Sequence, residues 1–389
     1  MKTRITSLLF AFILASLSGL LAQTTRYVNP DGNCGGNTPC YTTIQAAVNA
    51  AVAGDVVQIE AASHYVATAI TVDKAITIQG EGDGSLVLRQ NPGTYSVTFE
   101  FADAADGAVI KDLKINGHDG FTGPATSSSY PNGYVINITG NAENITVKNI
   151  TFEHGRSAVL IYGDNATIRD CRFIGYWMRG LLRPLGCQNV LITGNIADTK
   201  HYQYGLIYAH DALSSGEISY NYVACAENPN YFKSSGNVFD MEFYDGFDGS
   251  IIHNTFDTQR NFSNTTNGSV YPNYWGIYFE SPPAGNAPVI KDNIFVGYEP
   301  VLTGNPDCYA IVGPPDAIID NNLFYDTQYT SWPSGTNEII ADPQFSRTGD
   351  IPEYYSFGFG SPAYGTASDG TCVGAYQLLP VHNITQDLY

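Results

Sequence analysis

From about residue 132 onward the chain repeats a short β-rich run that ends in Asn or Asp, with an apolar or aromatic residue close behind. The copies read Val147-Lys-Asn149-Ile, Ile168-Arg-Asp170-Cys, Ile192-Thr-Gly-Asn195-Ile and Ile218-Ser-Tyr-Asn221-Tyr. They continue as Ile252-His-Asn254-Thr-Phe, Ile290-Lys-Asp-Asn293-Ile-Phe and Ile319-Asp-Asn-Asn322-Leu-Phe. The Asn and Asp positions lie 21, 25, 26, 33, 39 and 29 residues apart. A period in the twenties with variable insertions is the mark of stacked solenoid turns. An earlier copy, Ile110-Lys-Asp-Leu-Lys-Ile-Asn116, and the segments Ala69 to Gln79 and Ser85 to Arg89 carry the pattern toward the N-terminus.

This pattern predicts an all-β chain folded as a right-handed parallel β-helix of about nine or ten turns. Asn and Asp tolerate the tight, left-handed corner between strands. Stacked copies hydrogen-bond up the axis as a ladder, and the apolar residue after each corner is expected in the shared core. Antiparallel sandwiches need turns every 8–12 residues, which this period does not supply. One helix is predicted over 41–53, with Ile44, Ala47, Val48, Ala51 and Val52 on one face. Thr42 or Thr43 caps its start, Gly54 ends it, and it covers the open end of the solenoid.

Residues 1–22 read as a secretory signal peptide. Lys2 and Arg4 precede the apolar run Leu8 to Ala15, and small residues lead to cleavage after Ala22. The apolar run is short of the ~20 residues a membrane span needs. The mature chain, 23–389, is expected to be secreted or held at the cell surface as a single β-helix domain. Loss of Lys2 and Arg4 takes 18 basic residues to 16 against 37 acidic ones, and the formal charge from −19 to −21. That balance excludes nucleic acid as a partner, because phosphate neutralisation supplies most such affinity. Seven cysteines fit an oxidising compartment. Cys34 and Cys40 share a Gly/Asn/Pro-rich loop and are the expected disulfide, while Cys171, Cys187, Cys225, Cys308 and Cys372 can pair across turns.

Tyr27-Val-Asn-Pro-Asp-Gly32, Tyr41-Thr-Thr-Ile-Gln-Ala-Ala-Val48 and Ala53-Gly-Asp-Val-Val-Gln-Ile59 resemble the N-terminus of secreted parallel β-helix proteins of the pectate-lyase-like superfamily. Ala341-Asp-Pro-Gln-Phe345, Gly360-Ser-Pro-Ala363 and Val373-Gly-Ala-Tyr376 resemble the closing segment of bacterial members, here 341–377. The end of the leader is similar to those of exported Bacteroidetes proteins. The resemblance implies fold; for function it spans polysaccharide lyases, glycosidases and non-catalytic surface proteins. The tail, 378–389, looks like a lead-in to a second copy of the Tyr-Thr-Thr-Ile-Gln helix. The chain is therefore expected to be one domain of a longer exported protein.

The candidate site falls between Arg179 and Glu280. Aligning the central strands puts Gly180-Leu-Leu-Arg183, Gly205-Leu-Ile-Tyr208, Asp240-Met-Glu-Phe243 and Gly276-Ile-Tyr-Phe279 on top of one another. Alternation then sends Met241 and Phe243 inward and exposes Asp240 and Glu242 side by side. Glu280 and His210 follow on neighbouring turns. Paired carboxylates suit glycoside hydrolysis, one protonating the leaving oxygen and the other activating water. A lyase instead needs a base and a cation beside a uronate, for which Arg179, Arg183, Lys200, His201, Tyr208, His210 and Lys233 are candidates. Tyr208, Tyr244, Trp275 and Tyr278 offer rings on which sugars stack. Asp240, Glu242 and Glu280, together with Asp245 and Asp248, form an alternative calcium site, although no loop matches the EF-hand pattern. The expected partner is an extracellular polysaccharide, cleaved by a lyase or glycosidase. The alternative is a non-catalytic adhesin or structural module.

Overall fold

The computed structural model describes residues 23–375 apart from 94, 122–132, 202–203, 212–213, 225, 228–237, 258–273, 282–286, 299–308 and 328. The leader 1–22, Cys225, Lys233, Cys308 and the tail from 376 lie outside the described residues. Among those described, the strands form two parallel sheets, one of 21 strands and one of 10. Each turn of chain contributes one strand to the ten-stranded sheet, from Ile70–Val72 to Tyr329–Trp332, and further strands to the larger one. The architecture is a parallel β-helix. Its interior is one long apolar column in which like residues stack: Phe152 on Phe173 at 5.2 Å, and Phe256, Phe295 and Phe324 at 4.8 and 5.4 Å between ring centroids.

The repeated Asn and Asp residues divide into two columns with different work. Asp112, Asn149, Asp170, Gly194, Tyr220, His253, Asp292 and Asn321 all hold φ between +51° and +67°. They form the left-handed corner, which favours Gly, Asn and Asp. The residue after each corner begins the buried column Leu113, Ile150, Cys171, Asn195, Asn221, Asn254, Asn293 and Asn322. Arg169 pairs with Thr193, so Asp170 stacks on Gly194, and Cys171 rather than Asp170 lies below Asn195. Asn149 and Asp170 are thus corner residues, and the expected ladder is confined to the five asparagines from 195 to 322.

Those five side chains are fully buried. Each side-chain oxygen accepts the backbone N–H and the amide of the preceding member, as Asn254 Oδ1 does from Asn221 at 3.0 and 2.9 Å. Each amide also donates to a carbonyl of the preceding turn, as Asn254 does to Ile218 at 2.9 Å. Cys171 ends the ladder by donating its backbone N–H to Asn195 Oδ1 at 3.0 Å. Its thiol is free and buried, and burial pushes its pKa up to about 12. Cys187 and Cys372 are also free, so the pairing expected across turns does not form among the described cysteines. Cys34 and Cys40 are disulfide-bonded.

The ends depart from expectation in detail. The helix covers Ile44–Ala50, shorter than 41–53, because Tyr41 pairs as strand with Val28 and Ala51 is already extended. Thr43 is the cap, accepting from the Ala46 N–H at 3.2 Å. Ile44, Ala47, Val48 and Ala51 enter the main core, while Val52 is 48% exposed. The closing segment runs back along the outside of the solenoid. Phe345, Ile351, Tyr355, Ala363 and Val373 pack on Tyr222, Ile294 and Leu323. These last three are residues that directly follow a ladder asparagine. They therefore face outward beneath that segment, and the next residues, Val223, Phe295 and Phe324, fill the core instead.

The two columns make different predictions. Asn254→Ala leaves buried donors and acceptors unpaired on both neighbouring turns, at about 1–3 kcal/mol per group. Asn149→Ala worsens a left-handed corner and removes an exposed hydrogen bond to Asp112, at about 1–2 kcal/mol in all. Chemical denaturation should show a much larger drop in midpoint for the first than for the second.

Candidate functional site

The outward face of the ten-stranded sheet carries two rows of polar and aromatic side chains. On its inner face Val159, Leu182, Ile207, Met241, Ile277 and Ile311 stack, all fully buried. The next residue on each strand points out, giving the row Leu160, Arg183, Tyr208, Glu242, Tyr278 and Val312. One turn separates neighbours, about 4.8 Å. Two residues beyond Tyr208, Glu242 and Tyr278 stands a second row, His210, Tyr244 and Glu280, all exposed. His210 and Tyr244 stack face to face at 4.8 Å and 8°.

The register differs from the simple alignment by one residue in one place. Tyr204 pairs with Phe239 and Ile207 with Met241, so an irregularity inserts one residue between them. Tyr208 is thereby set beside Glu242 rather than Phe243. Strict alternation fails at the same level of the next strand. Phe239 joins Tyr208, Trp275 and Tyr278 in an outer aromatic cluster, instead of the core where Met241 and Phe243 lie. Asp240 is 1% exposed, and its carboxylate accepts from the hydroxyl of Tyr298, which belongs to the main core. The expected exposed pair of Asp240 and Glu242 is thus split. Backbones come close here, which accounts for Gly180, Gly205 and Gly276 at this level. A Cβ on Gly180 would lie 2.5 Å from Tyr208 Cβ, and one on Gly205 would lie 2.9 Å from Asp240 Cα.

Glu242 is the chemically unusual group. It is 6% exposed, and its Oε2 has no hydrogen-bond partner among the described residues. Burial, followed by the charge of Glu280, pushes its pKa up to about 8, against the pull of Arg179. A carboxyl in this setting is protonated at neutral pH. The same burial, with Glu280 and Glu242 adding to it, raises the Tyr278 phenol. Glu280 lies diagonally from Glu242, about 8 Å between Cα atoms from strand and residue spacings. Around them Trp275 stacks on Tyr278 at 4.4 Å, and Phe239 packs on Tyr278 at 5.0 Å. The guanidiniums of Arg183 and Arg179 lie 5.1 and 5.8 Å from the Tyr208 ring centre.

The structure therefore gathers Arg179, Arg183, Tyr208, His210, Glu242, Tyr244, Trp275, Tyr278 and Glu280 on one face, and sets Asp240 apart. Lys233 lies outside the described residues. Asp245 is exposed, and Asp248 accepts the backbone N–H of Ser215. Among the described residues no group of three or more His, Cys, Asp or Glu side chains is placed to hold a metal ion. Phe239 carries no sequence signal for the outer face, since only the break in alternation brings it there.

Neither a family model nor a curated protein sequence matches the chain. Among solved structures, pectate lyase Pel9A superposes with a TM-score of 0.52 at 13% identity, covering 93% of this chain and 98% of that one. The shared fold is the right-handed parallel β-helix. The catalytic domain of a GH87 alpha-1,3-glucanase, in complex with nigerose, matches with a TM-score of 0.36 at 17% identity over 74% of this chain. This β-helix spans about half of that domain, 52%. The Streptococcus pneumoniae surface protein and adhesin PfbA matches with a TM-score of 0.40 at 13% identity, over 76% and 92% of the two chains.

Gly180 gives the site a test of its own. Gly180→Ala drives a methyl group into the Tyr208 strand, and overpacking of this kind costs about 1–3 kcal/mol. Thermal unfolding should show the loss, and the near-ultraviolet tyrosine signal should change with it. An unchanged melting curve would mean that the turns are not so closely apposed.

Proposed function

We propose that the chain is an exported carbohydrate-active enzyme that holds a glycan along the outer face of the ten-stranded sheet and cleaves it by acid–base chemistry. The observation that carries this reading is Glu242: a nearly buried carboxyl, kept protonated up to about pH 8, with one oxygen unpartnered and a second, exposed carboxylate beside it. Glu242 is the general acid that protonates the leaving glycosidic oxygen. Glu280 is the carboxylate that activates water or stabilises the positive charge growing on the sugar ring. Tyr208, Phe239, Trp275 and Tyr278 supply an apolar floor for sugar faces. Arg179 and Arg183 favour a second reading, β-elimination from a uronate, in which guanidiniums neutralise the sugar carboxylate.

Screening against neutral and uronate-containing polysaccharides separates the readings. Hydrolysis yields new reducing ends without the ultraviolet absorbance of an unsaturated sugar, and elimination yields both. Glu242→Gln and Glu280→Gln are each expected to lower kcat by about 10²–10⁴-fold. Glycan binding with no product from any polysaccharide would leave a non-catalytic adhesive module.

The pH dependence has a definite sign. The acid form of Glu242 is required, so activity should fall as pH rises through about 8. Arg179 holds that pKa down, so Arg179→Met should move the falling limb to higher pH. A raised carboxyl pKa stabilises the fold fully below the ordinary Glu value, and that contribution is lost as pH passes about 8. Glu242→Gln should therefore melt above the wild type at pH 9, with the difference shrinking toward pH 5.

A further inference from the structure

From Arg183, two turns along the outward row from Glu242, the groove continues into a second constellation that the acid–base chemistry of Glu242 and Glu280 does not use. Tyr134 opens the strand Tyr134–Ile138, Arg156 precedes the strand Ser157–Ile161, and Arg183 lies in Leu182–Pro184. Arg156 is only 7% exposed. Its Nε donates to the Tyr134 hydroxyl oxygen at 3.1 Å, and Arg183 Nη1 donates to the same oxygen at 3.2 Å. Arg156 Nη1 lies 3.3 Å from Met178 Sδ, and its guanidinium lies 4.6 Å from the ring centre of Tyr95. Arg183 Nε is buried with no hydrogen-bond partner.

No carboxylate among the described residues pairs with either guanidinium. In a chain with twice as many acidic as basic residues that absence stands out, because burying a charge without a counter-charge is costly. The hydrogen bonding is also one-sided. Both lone pairs of the phenol oxygen are taken by guanidinium donors, which leaves its O–H to donate. Two cations and a phenol O–H thus converge with no acceptor among them, and the group that satisfies all three is an oxyanion.

We propose that Arg156, Arg183 and Tyr134 form a subsite for an anionic substituent of the glycan, a carboxylate or a sulfate ester, on strands two to four turns, about 10–19 Å, along the groove from Glu242. The proposal rests on the reading that this face binds glycan, and it adds the charge of the ligand. Arg183 belongs to both constellations: its guanidinium reaches Tyr134 on one side and lies against the Tyr208 ring on the other. A sugar chain crossing the aromatic floor brings one unit over Glu242 while a charged unit engages the guanidiniums.

The test is calorimetric titration of the Glu242→Gln protein, in which cleavage is suppressed, with three probes. These are a galacturonic acid trisaccharide, the same trisaccharide with its carboxyls reduced, and that neutral trisaccharide bearing sulfate esters. At least one charged probe is expected to bind ten-fold or more tightly than the neutral one. Preference for the first identifies a carboxylate as the natural substituent, and preference for the third a sulfate ester. Arg156→Met and Arg183→Met should each abolish the preference. Arg183 is only partly buried, so its variant reports even if Arg156→Met does not fold. Equal binding of all three probes, no binding of either charged probe, or a preference that persists in folded Arg183→Met would overturn the subsite. Equal binding alongside Glu242-dependent cleavage would leave the catalytic reading standing. A charge preference in a protein that cleaves nothing would leave only the subsite.

Discussion

Five buried asparagine amides join successive turns of this solenoid from the inside. A parallel β-helix has no hairpins, so each turn gets its register only from the turns beside it. Backbone ladders alone tolerate slippage, because a strand shifted along its neighbour still finds N–H and C=O partners. A buried amide that must accept from one turn and donate to another does not tolerate it, since a shift strands several polar groups in an apolar core. Asn195, Asn221, Asn254, Asn293 and Asn322 thus set where each turn begins, although the loops between them vary in length. The left-handed corner just before each of them aims the amide inward.

The site depends on that alignment. Insertions between turns 26, 33 and 39 residues long are absorbed in loops, so the strands of the smaller sheet still arrive in order. Tyr208, Glu242 and Tyr278 then stand in one row despite long separations in sequence. The one irregularity beside Gly205 determines which side chain neighbours Glu242. The same level of the next strand turns Phe239 outward and leaves Asp240 to a core phenol. A solenoid face is otherwise a regular lattice. It is locally broken where the Glu242 carboxyl is drawn out of water.

The charge distribution fits this picture. The surface is acidic and poor in basic groups, yet Arg156, Arg179 and Arg183 gather on one face over aromatic rings. Guanidiniums stacked on rings keep their charge while shedding water, and they remain available to an incoming anion.

The period of the Asn and Asp residues, the interruption by Gly and the near absence of helical spacing determined the parallel β-helix, its capping helix and the Cys34–Cys40 disulfide. These follow from local rules: which residues tolerate a corner, which cap a helix, and which cysteines are close in the chain. The sequence also pointed to the stretch holding Glu242, Glu280, Arg179, Arg183 and the aromatic residues, because alternation along a strand is a local property. What only the tertiary structure decided was register and burial. Asp170 and Asn195 look alike in sequence, yet one is an exposed corner and the other a buried rung, because the corner column is one residue ahead of the ladder. Asp240 and Glu242 share a strand face by simple alternation, and only the neighbouring turn shows that one meets Tyr298 while the other faces the groove. The meeting of Arg156 with Arg183 over Tyr134 joins residues 22 and 49 apart, which no local pattern encodes.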